Sequence, residues 1–412
     1  MNLRPITLAP IALAVLITPA WADLGNQLFK LTPDDGAELD YFGAAVAVDS
    51  GIAVVGAFRD QDNDFFSGSA YLFDVSSGTQ LKKITANDGG FFDQFGSSVA
   101  ANNGLALLGA PGDGDVFFSS GSAYLFDTAT FEQLTKFSPA DPVSDGEFGA
   151  SVAIDGGVAL IGARGDDDNG LASGSAYLFD LSTGAQFAKL SPDDGAPQDY
   201  FGTSAAISNG IAIIGSPQDD DNGEDSGSAY LFDAVTGVQI AKLTPQDGAE
   251  MDRFGESVAI DGGLALVGAY GHSGRSGAAY LFDVATGTQL AKIVADDGST
   301  DDRFGRSVAI SGGLALVGAS YEDEKGLDSG SAYLFEVPTV RQIAKFSADL
   351  GGELDHFGSS VAIGDGIAII GAEGDSNNGD FAGAAYIFST VPEPSAMWLG
   401  SLAVAFCPRR RL

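Results

Sequence analysis

Residues 148–190 read "FGASVAIDGGVALIGARGDDDNGLASGSAYLFDLSTGAQFAKL". Four apolar runs stand in this stretch, each too short for a helix. "SVAI" (151–154) and "VALIGA" (158–163) are joined through Asp155-Gly156-Gly157, and such glycine pairs supply the positive φ of a tight hairpin. "SAYLFD" (175–180) and "QFAKL" (186–190) are joined through Ser182-Thr183-Gly184. The second run has no polar alternation, the mark of a strand buried on both faces. The stretch therefore predicts four antiparallel strands, A to D in chain order.

The same pattern recurs along the chain. Phe-Gly stands at Phe42, Phe95, Phe148, Phe201, Phe254, Phe304 and Phe357, in steps of 53 except for one of 50. Fourteen residues after each Phe comes a glycine, from Gly56 and Gly109 to Gly371. The Tyr of "AYLF" or "AYIF" recurs at Tyr71, Tyr124, Tyr177, Tyr230, Tyr280, Tyr333 and Tyr386. Strand D carries a lysine at one fixed place: Lys30, Lys83, Lys136, Lys189, Lys242, Lys292 and Lys345. That placement suits an outer strand, where lysine discourages edge-to-edge pairing.

A four-stranded sheet with two apolar sides must stack on neighbours, and an open stack needs atypical capping copies at its ends. Here the first and last copies carry the full motif set. The chain also has a spare strand D, "NQLFKL" (26–31), before the first copy, and it lacks strand D after "AAYIF" (384–388). The spare strand fits the gap. The expected fold is all-β, a seven-bladed β-propeller of four-stranded antiparallel blades, its ring closed by the N-terminal strand.

These motifs resemble the FG-GAP repeat family, the propeller of the integrin α head and of many bacterial exported proteins. The likeness runs over residues 26 to 388. It implies a binding propeller whose loop face meets ligands. The family's calcium loop, Asp-x-Asp-x-Asp-Gly between strands A and B, has no counterpart in turns as short as Asp155-Gly156-Gly157. The family's calcium residues therefore do not carry over, and the chain looks closer to a bacterial branch without that loop.

The two ends read as sorting segments. Residues 1–22 have Arg4, an apolar middle and a closing Ala20-Trp21-Ala22, the pattern of a secretory signal peptide. Residues 391–412 have Pro-Glu-Pro, an apolar run and Arg409-Arg410-Arg411. This tail resembles the PEP-CTERM sorting signal of Gram-negative bacteria, which implies an exosortase-type processing protease as a partner. The apolar run is shorter than the ~20 residues of a spanning helix, so contact with the membrane would be transient. The expected organisation is a leader (1–22), the propeller (23–390) and the tail (391–412), with the product exported to the cell surface or beyond. Trimmed so, the chain keeps 55 acids against 16 Lys and Arg, a net charge of −39, and loses Cys407 and both tryptophans. It would form no disulfide and would repel nucleic acid.

Strands alternate in direction, so the B–C and D–A loops share one face of the ring. Of the 56 acids, 42 lie in these loops, with only Arg59, Arg164, Arg253, Arg275, Arg303 and Lys325 to balance them. "GDDDNG" (165–170) and "QDDDNG" (218–223) are the densest acidic stretches. Three readings apply. Asp and Asn side chains can hold a solvated turn by bonding their own backbone. Asp166, Asp168 and Asn169, with Asp219, Asp221 and Asn222, can offer oxygens to calcium, the one candidate cofactor, although calcium takes six to eight ligands. Direct ligand recognition is the third, since Arg164-Gly165-Asp166 spells the tripeptide that integrins recognise. The fifth B–C loop, "YGHSGRSG" (270–277), is shortened, lacks acids and carries His272 and Arg275. It is a cationic notch in an acidic ring.

No nucleophile elbow is present, and His272 and His356 sit in different copies. The expected function is therefore a non-enzymatic binding or adhesion propeller, with an extracellular polysaccharide or surface protein as partner. The alternatives are a polysaccharide-active hydrolase or lyase using two of the many carboxylates, and a purely structural matrix component.

Overall fold

The computed structural model describes residues 24–337 and 339–391. Among the described residues it contains seven four-stranded antiparallel sheets, and the only other regular element is a four-residue, irregular helical turn at His272–Arg275. Six sheets are built from consecutive strands. In the seventh, the first strand of the chain, Gln27–Leu31, pairs with the last, Ala384–Ser389. The ring is closed by the N-terminal strand, as the spare copy of strand D predicts.

Packing gives the same result independently. Seven apolar clusters fill the spaces between neighbouring blades, where an open stack of seven would leave six. The cluster that seals the ring joins Leu31, Ile369 and Ile387 to Phe42, Val55 and Tyr71. The Ser360 hydroxyl also donates to the Gly43 carbonyl across that junction, at 2.7 Å.

The Phe-Gly motif has a packing cause. Phe148 is fully buried and meets Tyr177 and Phe179 edge-on, with ring centroids 5.4 and 5.8 Å away. The following glycine lies against strand B of the blade before. A Cβ on Gly162 would stand 2.1 Å from the Gly202 carbonyl oxygen, so the two backbones touch only because both residues are glycine. Strand A lines the axis of the ring with small apolar side chains such as Val46, Ala100 and Ile154, around a cavity of about 230 Å³. Strand D lies outermost.

The segments assigned to the leader (1–22) and, apart from Val391, to the tail (391–412) lie outside the described residues.

Candidate functional site

Each B–C loop pairs with the D–A loop that enters the next blade. Phe92 and Gln94 donate their backbone N–H groups to the carbonyls of Phe65 and Phe66, and the pattern repeats at Gln198 with Leu171 and at Met251 with Glu224. The loop face is thus a continuous surface, and side chains distant in sequence meet on it.

Asp166 shows what the acidic stretches do. It is buried, 1% exposed. Its Oδ1 accepts from the Asp168 backbone N–H and the Ser175 hydroxyl, at 3.1 and 3.0 Å. Its Oδ2 accepts from the Tyr177 hydroxyl at 2.8 Å and the Lys189 ammonium at 3.1 Å. The same ammonium meets Asp168 at 2.6 Å and Asp141, of the preceding D–A loop, at 2.8 Å. A lysine ammonium has three N–H donors, and here each faces one carboxylate. Burial works against the charged lysine, and the bonds to Asp141, Asp168 and Asp166 outweigh it, so its pKa is raised.

Asp219 and Asp221 repeat the arrangement around Lys242, at 2.8 and 2.5 Å, with Asp194 at 2.8 Å and the Tyr230 hydroxyl on Asp219. Lys83, Lys136 and Lys345 each hold three carboxylates likewise. Lys30 holds Asp375 alone. Asn169 and Asn222 are exposed, and their backbone N–H groups donate to the hydroxyl oxygens of Ser173 and Ser226. The four candidate aspartates therefore face an ammonium supplied by the chain itself. Among the described residues, no group of three His, Cys, Asp or Glu converges as metal ligands do.

Two expectations change here. The strand D lysines lie on the outer strand, but their ammonium groups turn inward to the loop acids rather than guarding an edge. A long flexible stem makes that reach possible. Consequently the loop face is less negative than its loop residues alone imply.

His272 also differs from expectation. It is buried, 8% exposed, and takes the aspartate's place in the fifth blade. Its Nε2 lies 2.6 Å from the Lys292 ammonium and its Nδ1 2.9 Å from Asp252. An ammonium only donates, so Nε2 accepts and Nδ1 carries the proton. His272 is a buried, hydrogen-bonded link in the scaffold and no part of an open notch. Arg275 remains exposed.

A third set of acids anchors the D–A loops. Asp40, Asp93 and Asp199 accept the backbone N–H groups of Ala37, Gly90 and Ala196. Burial pushes each carboxyl up to about 6, against the lowering effect of that bond.

One feature of the face has no counterpart in the expectations. Phe65, Phe66, Phe91 and Phe92 form an aromatic cluster, with centroids 4.0 Å apart for the first pair, 4.6 Å for the second and 5.2 Å between Phe66 and Phe92. Phe91 is 63% exposed, and Phe117 and Phe118 on the next B–C loop are 51% and 76% exposed. Other copies carry mostly polar or small residues at the place of Phe91: Glu38, Ser144, Pro197, Glu250, Thr300 and Glu353. The legible signal was three Phe-Phe pairs in two successive blades. Soluble surfaces rarely gather apolar side chains so densely unless something binds there.

A family model described as FG-GAP repeat matches residues 26–73, 79–126, 131–179, 185–232, 238–282, 288–335 and 340–388. No curated protein matches the chain.

Proposed function

The chain belongs to the FG-GAP repeat family, and from that premise we propose that it is an exported, non-enzymatic binding or adhesion propeller that meets an extracellular polysaccharide or surface protein with its loop face. The exposed phenylalanines of the first two blades carry this reading, because aromatic rings held rigid at a surface supply contact area at little entropic cost. The candidate aspartates Asp166, Asp168, Asp219 and Asp221, in contrast, are engaged by lysines and tyrosines, which favours a scaffold role for them over acid–base chemistry or a calcium site. The leader-like and PEP-CTERM-like ends support export and trimming by an exosortase-type protease. Intact mass of native material should then show loss of 1–22 and of the arginine-ended tail; a surface-fraction protein still bearing Trp398 would refute the processing.

The function is tested with neutral and acidic polysaccharides and surface-protein fractions immobilised in parallel. The triple variant Phe65→Ser, Phe91→Ser, Phe118→Ser should lose binding by roughly tenfold or more while melting at the parent temperature. Unchanged binding removes the aromatic cluster from the contact, and turnover of any polysaccharide would replace the binding reading with a hydrolase or lyase.

A further inference from the structure

The fifth B–C loop opens a second place on the face. It is three residues shorter than its counterparts, as the step of 50 records, and it brings no acid. The space it vacates is a pocket of about 290 Å³ lined by Met251, Arg253, Tyr270, Gly271, Arg275 and Arg303. Three arginines thus line one pocket beside a tyrosine in a chain of net charge −36. Arg253 and Arg303 occupy the same position of successive blades, where other copies carry Tyr41, Gln94, Glu147, Tyr200 and His356. The loop pairing places them on either side of Arg275, since the Arg303 backbone N–H donates to the Arg275 carbonyl at 2.8 Å.

These cations are incompletely matched. Arg253 pairs with Asp225 at 3.0 Å, and Arg275 reaches Asp301 only at 3.7 Å. Arg303 makes no ion pair with any described residue. Its guanidinium stacks over Tyr321, 3.6 Å from the ring centroid, and its Nε is buried without a hydrogen-bond partner. A buried donor left unmatched is costly, and a charged acceptor relieves that cost. A guanidinium presents its donors in a fork that fits an oxyanion. We propose that this pocket binds the carboxylate or sulfate group of a sugar-sized anionic unit, for which the volume is suited. The inference deepens the binding reading but stands on another blade from the phenylalanines, so either site can fail alone.

Calorimetric titration of the full chain with sodium glucuronate, glucose 6-sulfate and glucose, at constant ionic strength, tests it. At least one of the two anions should bind and glucose should not; which anion wins identifies the source of the oxyanion. Arg303→Gln and Arg275→Gln should each weaken binding by about tenfold or more, as loss of a charged hydrogen bond implies. Arg164→Gln, which removes an equal charge from the third blade where Arg164 pairs with Glu147, should leave it unchanged. Arg275 is largely exposed, so its variant folds even if that of Arg303 does not. Binding of neither anion, or equal weakening by Arg164→Gln, overturns the proposal. Loss of polysaccharide binding in the phenylalanine variant with glucuronate binding intact would leave this site standing.

Discussion

At the scale of single residues, the loop face is a set of lysines wrapped in carboxylates. Two consequences are measurable. If Lys189 and Lys242 are the cations of "GDDDNG" and "QDDDNG", millimolar calcium should raise the melting temperature no more than magnesium at matched ionic strength. Lys189→Met, which leaves Asp166 buried and uncompensated, should cost about 3 kcal/mol. A calcium-specific rise in the parent protein, abolished by Asp166→Asn with Asp219→Asn, would restore the metal reading. The second consequence concerns pH. Asp40, Asp93 and Asp199 have folded values near 6, above the 3.8 of the unfolded chain. The native state therefore binds more protons between those values, and stability rises as pH falls through that window. Asp113 and Asp375 run the other way. Burial would raise them, but Lys136 and Lys30 with neighbouring donors hold them below 3.8, so their contribution is lost only in stronger acid. Thermal midpoints should accordingly climb from pH 7.5 to about 5 and drop below about 4. Asp40→Asn, Asp93→Asn and Asp199→Asn together should flatten the climb; an unaltered climb would assign it to general charge repulsion. None of this was legible in the sequence beyond the sevenfold lysine and tyrosine. Asp141, Asp166, Tyr177 and Lys189 come from the D–A loop, the B–C loop and strands C and D of the third blade, which meet only in the folded sheet.

At the scale of elements, the strands were legible because each motif answers one local demand. "VALIGA" is apolar throughout because blades cover both its sides. Its glycine is there because the next Phe-Gly turn leaves no room for a Cβ. The strand Gln27–Leu31 carries the greatest consequence of all. It completes the seventh sheet, inserts Leu31 into the sealing cluster and sends Lys30 to Asp375, which is buried. Deleting residues 24–32 removes all three at once. A large fall in melting temperature or aggregation is expected, whereas deleting 392–412 should leave the midpoint in place. Equal midpoints for the two truncations would show that the ring does not depend on its closing strand.

At the scale of the whole molecule, the period and the spare strand sufficed to read a closed ring of seven. They could not reveal what the face presents. Symmetry hides exceptions, and the binding features proposed here are exceptions: phenylalanines in the first two blades and arginines around the fifth. The short fifth loop was visible as a cationic notch, yet His272, its most conspicuous residue, went into the scaffold while Arg253 and Arg303 came from neighbouring loops. The ring closure has a further, mechanical consequence. Gln27 and Phe388 are paired, and the Thr390 backbone N–H donates to Gly366 in an A–B turn. The chain thus enters and leaves on the face opposite the loops. A tether at either end would hold the ring from behind, with its loops turned outward like a dish. Tension between a ligand on the loops and such a tether would run along the strands. The ladder bonds lie perpendicular to the strands, so they bear the load together in shear instead of parting one by one.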